Sequence, residues 1–216
     1  MKALIIVDLQ NDFVEGGALA VPGGRELVPL VNRLQPHFDV VVATQDWHPH
    51  DHGSHASNHP GRRPGEVVEL EGRPQILWPA HCVQETHGGN FVDGLDQDLW
   101  AAVFRKGIDT SIDSYSGFFD NGYVRATGLG DFLRAKEVTE VHVVGLATDY
   151  CVKFTALDAV KLEFETTLIV DACRGVNLQP GDVEKAIAEM RAAGVRIIEA
   201  REILEESGPR PDAATH

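Results

Sequence analysis

Short apolar runs alternate along the chain with stretches whose apolar residues recur every three or four positions. Ala3–Val7 is the first run and stops at Asp8, and Val40–Ala43 leads into Thr44, Gln45 and Asp46. Val103-Phe104 precedes Arg105-Lys106-Gly107, Val141–Val144 runs into Gly145, Thr167–Val170 ends at Asp171, and Val195–Ile198 is the last. Runs this short and this rich in β-branched residues predict strands covered on both faces, as in a parallel sheet. Between them, Leu27, Val31 and Leu34 have helical spacing, as do Leu129, Phe132 and Leu133. Val152, Ala156, Ala159 and Val160 make a third stripe, and Val183, Ile187 and Met190 a fourth that stops at Gly194. The alternation predicts a three-layer α/β fold: one open, mostly parallel sheet with helices on both faces. Reactive groups in such folds gather beyond the carboxyl ends of the strands, where Asp8, Asp46, Lys106 and the segment around Cys151 fall.

One region breaks the rhythm. From position 46 to about 90 the chain is rich in His, Pro and Gly and carries seven of the ten histidines. A long stretch without periodicity inside a domain is expected to be functional. With 216 residues there is room for one substantial core, so a single domain over 1–207 is expected, with 208–216 as a polar tail. A formal charge of −14 opposes phosphate backbones and anionic membranes, so neither nucleic acid nor membrane is an expected partner. Three well-separated cysteines make no disulfide framework and point to a reducing cytoplasm.

Candidate chemistry follows from position. Asp8 is either a strand-end carboxylate in a turn or a general base at the sheet rim. Lys106 is either a solvated strand-end lysine or, if turned inward, a charge that steadies both a carboxylate and a thiolate. Cys151 opens the fourth-strand turn and the next helix, where Thr148 or Asp149 is a candidate cap. Free amides there would lower the thiol pKa and receive an oxyanion. Cys82 and Cys173 suit structural burial. Asp46 and His48, two apart on extended chain, project to one side, and His81 is a third candidate ligand. This set suits zinc, iron or manganese. Most of His50, His52, His55 and His59 are expected at the surface.

The segments Asp8–Phe13, Glu15–Val21, Asp46-Trp-His48, Trp78-Pro-Ala-His81, Phe104–Gly107, Asp113–Phe118 and Gly145–Cys151 closely resemble the nicotinamidases of the isochorismatase-like cysteine hydrolase superfamily. The resemblance runs from about Ala3 to Ala200. It implies a Rossmann-like sheet of six parallel strands and hydrolysis of nicotinamide to nicotinate and ammonia through a cysteine thioester, in NAD salvage. Pyrazinamide-like amides are further substrates it implies, and the working state is a monomer or homodimer. By the same resemblance, Asp8, Lys106 and Cys151 match the catalytic triad, and Asp46, His48 and His81 match the ligands of one divalent metal ion (Zn, Fe or Mn). His52 stands where some relatives have a further ligand. Phe13, Leu19, Val21 and Trp78 match residues flanking the pyridine ring. Ala147 and Cys151 match the oxyanion amides, with a cis peptide before Ala147. Relatives that cleave carbamoyl or ureido amides share the triad but need no cation for a pyridine. Two other readings compete: a non-haem iron oxygenase, which leaves the triad idle and requires an all-β fold, and a flavodoxin-like metal store, which lacks a glycine-rich phosphate loop after the first strand.

Overall fold

The computed structural model describes residues 1–206; the polar tail expected at 208–216 lies outside them. Eight strands and five α-helices follow in chain order: β1 (Lys2–Val7), α1 (Leu27–Leu34), β2 (Val40–Asp46), β3 (Val67–Leu70), β4 (Arg73–Ile76), β5 (Trp100–Lys106), α2 (Leu129–Ala135), β6 (Glu140–Leu146), α3 (Lys153–Lys161), β7 (Glu165–Arg174), α4 (Asp182–Ala192), β8 (Arg196–Ile198) and α5 (Ala200–Glu206). Six strands form one sheet in the order β5-β2-β1-β6-β7-β8, and every pairing in it is parallel. All six predicted strands are present, and the four predicted helices with them.

The period of two along each strand sorts side chains onto two cores. Leu4, Ile6, Val41, Ala43, Val144 and Leu146 face one side, where α1 and α5 cover them with Leu27, Val31, Leu34 and Ile203. Ala3, Ile5, Val7, Val42, Val141 and Val143 face the other, under Leu129, Leu133, Ala156, Ala159 and Met190 of α2, α3 and α4. The expectation of burial on both faces fails at β5. It is an edge strand whose residues alternate between half-buried and exposed, with Val103 at the surface, because no second layer reaches that side of the sheet's margin.

Two elements were not foreseen. The 46–90 region contains an antiparallel hairpin, β3–β4, turning at Glu71 and Gly72, both with positive φ. A two-residue turn of that kind suits the twist of a hairpin. Helix α5 packs its Ile203 against α1's core. Among the described residues no helix is long and apolar enough to cross a membrane.

The chain order places β1 at the centre, with β2 and β5 on one side and β6, β7 and β8 on the other. The order therefore reverses between β1 and β6, and a crevice opens beyond their carboxyl ends. Gly145 permits the two strands to lie this close: its φ is +115°, and a Cβ there would run into the backbone of Val7.

Candidate active site

Three charged groups of the crevice come from strand ends. Asp8 follows β1 with a φ of +46°, Asp46 closes β2, and Lys106 closes β5. Asp8, Asp46, Lys106 and Cys151 are all buried. Lys106 is turned inward and gathers the others: its Nζ lies 2.8 Å from Asp8 Oδ2, 2.5 Å from Asp46 Oδ1 and 3.4 Å from Cys151 Sγ. It also donates to the Ser114 carbonyl at 2.9 Å. Thr44 Oγ1 donates to Asp8 Oδ1 at 2.6 Å. One oxygen of Asp8, one of Asp46 and the Cys151 sulfur lie within 4.8 Å of one another. The bridge from Lys106 to Asp46, which ties the cysteine cluster to the histidine cluster, was not expected from spacing.

Burial sets the protonation pattern. It pushes the Asp8 carboxyl up against the opposing pull of Lys106. It also acts to raise Asp46, but Lys106, His48 and His81 outweigh it and hold that carboxyl well below the ordinary carboxylate range. The same two carboxylates overcome desolvation of Lys106 and fix it as an ammonium. Cys151 was expected to be acidified by a helix N-terminus. Instead, burial raises its thiol well above the usual value, Lys106 opposes this, and both carboxylates add to it. The local structure explains part of the difference. Cys151 sits within a five-residue π-helical turn, Thr148–Val152, ahead of α3. Neither Thr148 nor Asp149 caps it. The Asp149 carboxylate instead accepts the backbone N–H groups of Val176 and Asn177, at 2.9 and 2.7 Å, and so holds the loop after β7 over the crevice. Burial and the two carboxylates thus favour the thiol over the thiolate at Cys151.

A second triad adjoins the first. His48 Nε2 is 3.5 Å and His81 Nε2 3.9 Å from Asp46 Oδ2. The opposite nitrogen of each ring is taken by a backbone carbonyl: His48 Nδ1 by Gly107 at 2.9 Å and His81 Nδ1 by Pro79 at 2.7 Å. Each bond turns an Nε2 lone pair toward Asp46, the arrangement that orients imidazoles around a metal. Gly107 is required for it, because its φ is +62° and a Cβ would collide with the His48 ring. Gln10 fixes the third ligand residue by bonding both backbone groups of Asp46, each at 2.8 Å. Asp46, His48 and His81 offer three ligand atoms within 4.8 Å of one another, so the residues fit a divalent cation.

The histidine-rich loop is a correction. Most of His50, His52, His55 and His59 were expected at the surface, but only His50 is exposed; His59 is half-buried, and His52 and His55 are fully buried, because the loop folds back on itself. Ala56 N–H donates to the Trp78 carbonyl and Trp78 N–H to the Ser54 carbonyl, both at 2.8 Å. Burial and the neighbouring His48 lower His52 to about 4 and His55 to about 3.

The pocket beside Cys151 is lined by Phe13, Leu19, Trp78 and Ala147, as expected, and by Asp113, Tyr115, Tyr150 and Val176. Val21 does not reach it. It is fully buried in the core, and its N–H donates to the Phe13 carbonyl at 3.0 Å, so it supports the pocket wall from behind. Tyr115 accepts the Trp78 indole N–H at 3.2 Å, and Tyr150 meets Trp78 edge-on at 5.0 Å. The aromatic run near Tyr115 was visible in the sequence, but nothing local showed that it would face the pocket. The Leu146–Ala147 peptide is cis.

With this geometry in hand, comparison with known proteins is decisive for family. The isochorismatase domain model matches residues 2–202. The chain belongs to the isochorismatase family. A nicotinamidase of Escherichia coli (strain K12) is 52% identical over 91% of this chain and 93% of its own length. The solved structure of an Acinetobacter baumanii nicotinamidase pyrazinamidease superposes with a TM-score of 0.91 at 45% identity, covering 94% of this chain and 98% of that one. A pyrazinamidase of Pyrococcus horikoshii in complex with zinc superposes with a TM-score of 0.74 at 39% identity, covering 92% and 98%. An all-β oxygenase fold is thereby excluded for this member of the isochorismatase family.

Proposed function

We propose that this chain is a nicotinamidase, an amidohydrolase that converts nicotinamide and water to nicotinate and ammonia in NAD salvage. The observation that carries the reading is the convergence of Asp8, Lys106 and Cys151 in one aromatic-walled pocket, with Asp46, His48 and His81 alongside. The relatives named above are nicotinamidases and pyrazinamidases, so ring analogues such as pyrazinamide are further substrates of the same pocket. The expected setting is the cytoplasm, with the chain acting as a monomer or homodimer.

The chemistry follows from the groups. Asp8 takes the thiol proton of Cys151, and the ammonium of Lys106 stabilises the sulfur anion that forms. The sulfur attacks the carboxamide carbon, and the tetrahedral oxygen is received by the N–H groups of Ala147 and Cys151. Asp8 returns the proton to the departing nitrogen, which leaves as ammonia, and a thioester remains. Asp8 then takes a proton from water, whose oxygen displaces the sulfur, giving nicotinate and restoring the thiol. The raised pKa of Asp8 suits a group that gains and loses a proton in both halves. Phe13, Trp78 and Tyr150 clasp the ring. Asp46, His48 and His81, with His52 as a further candidate, would hold a zinc, iron or manganese ion, which would supply a contact for the pyridine nitrogen and so help to orient the carboxamide.

The test is ammonia release from nicotinamide, with and without a chelator, by the parent protein and Cys151→Ala. Turnover should fall by about 10⁴-fold or more in the variant while cation content stays constant. Chelation should depress kcat/KM mainly through KM. Near-parental turnover by Cys151→Ala would refute the covalent route.

A further inference from the structure

The cation reading uses Asp46, His48 and His81, with His52 as a further candidate, and leaves the imidazole of His55 beside them without a task. His52 and His55 are each fully buried. His52 spends its Nδ1 on Ser54, 2.7 Å from Oγ and 3.2 Å from the backbone N, and its Nε2 has no hydrogen-bond partner. Neither ring nitrogen of His55 has one. Backbone carbonyls of Ile112 and His50 lie near these rings but outside hydrogen-bonding geometry. Buried nitrogens that have lost water and gained nothing are retained where a ligand supplies the missing bond. The rings also face one another: the His55 centroid is 5.4 Å from that of His48 and 5.6 Å from that of His52. One ligand atom from each of His48, His52 and His55 lies within 4.8 Å of the other two. The backbone holds them there. His52 N–H donates to the Pro49 carbonyl and His55 N–H to the His52 carbonyl, at 3.0 and 3.1 Å, and Gly53 N–H to the Thr110 carbonyl at 2.8 Å. A Cβ at Gly53 would strike Leu70 of the β3–β4 hairpin at 2.7 Å, so the hairpin presses this segment into place.

We propose that His48, His52 and His55 form a second, all-imidazole seat for a first-row divalent cation, overlapping the Asp46–His48–His81 seat through His48. Because the Gly107 carbonyl occupies His48 Nδ1, that ring has one nitrogen to offer, and the chain holds one cation in either of two ligand sets. Three neutral imidazoles suit zinc, nickel or copper over magnesium or calcium. The inference rests on the cation reading in that it needs His48 open to a metal.

Equilibrium dialysis of the full chain against Zn²⁺ tests it, using the parent protein, His81→Ala, His81→Leu, and each of these combined with His55→Phe. The parent should hold about one zinc per chain. The His81 variants should still bind, about 10–100-fold more weakly, and the double variants should lose at least a further tenfold. If the His81 variants drop at once to the level of the doubles while the parent binds, the second seat is refuted and the first stands. If the parent binds no zinc, both fall. Thermal unfolding guards against misfolding as an explanation. Without cation, His55→Phe alone should melt about 2–4 °C above the parent, since it removes two unbonded polar atoms, and the rise produced by zinc should shrink. A lower midpoint with and without zinc would mean that His55 only fills space, and would overturn the proposal.

Discussion

The half of the site borne by strand ends and the half borne by the 47–90 excursion solve the problem of buried polar groups differently. On the sheet, the protein's own charges oppose one another: one ammonium lies between two carboxylates, and Thr44 and the Ser114 carbonyl add hydrogen bonds. In the loop, imidazoles are held on one nitrogen by a backbone carbonyl or by Ser54, or by nothing, and their open nitrogens face one another. The first arrangement is tied together by the protein's own ion pairs before any ligand arrives. The second is complete only around a cation. The ion-paired cluster should therefore be sensitive to loss of any charge, whereas the loop half should respond to geometry and to metal.

That contrast can be broken at several points. The largest effect is expected for Asp8→Asn, which keeps the shape but removes the proton carrier of both half-reactions. Turnover should fall by about 10³-fold or more, and a loss below tenfold would remove Asp8 from that role. Lys106→Met should strand two buried carboxylates, so denaturant unfolding should show a loss of about 3–5 kcal/mol along with activity; unchanged stability would mean that the cluster is not tied together as described. In the loop half, Gly107→Ala should displace the His48 ring and weaken zinc retention about 10–100-fold, with the thermal midpoint of the cation-free protein moving far less than in Lys106→Met. The smallest effect lies outside both halves. His142 on β6 is buried against Phe38, and burial lowers it to about 4 from an ordinary 6.5. Its folded-state pKa is depressed, so the unfolded chain binds the extra proton first. The stability it permits is intact above about pH 6.5 and is lost as pH falls toward 4. His142→Leu should flatten that part of the stability curve, measured by urea unfolding between pH 4 and 7.

The six strands were legible because each is an unbroken apolar run, and the helices because their stripes keep one period. The β3–β4 hairpin was not, since five of its eight strand residues are polar or exposed, although Glu71-Gly72 is a turn signal. Helix α5 is short and acidic, and its docking through Ile203 is a tertiary event. Among the site residues, Asp8, Asp46 and Lys106 could be read from their places at strand ends, and Cys151 from the small-residue turn before it. Val21 was placed beside the ring by resemblance and instead lies behind the pocket wall, because an apolar residue near a pocket lines it or backs it according to a single turn of the chain.

The layer architecture and the rim of the sheet on which chemistry collects can be read from the chain alone, because hydrophobic periodicity is local and survives without knowledge of neighbours. It took the folded chain to show that Lys106 points inward to bridge Asp8 and Asp46, that burial raises Cys151 and Asp8 together, and that His52 and His55 are enclosed rather than solvated. Those outcomes depend on desolvation and on charges brought together from up to 143 positions apart in the chain, from Asp8 to Cys151, and neither quantity has a value until the strands are ordered side by side.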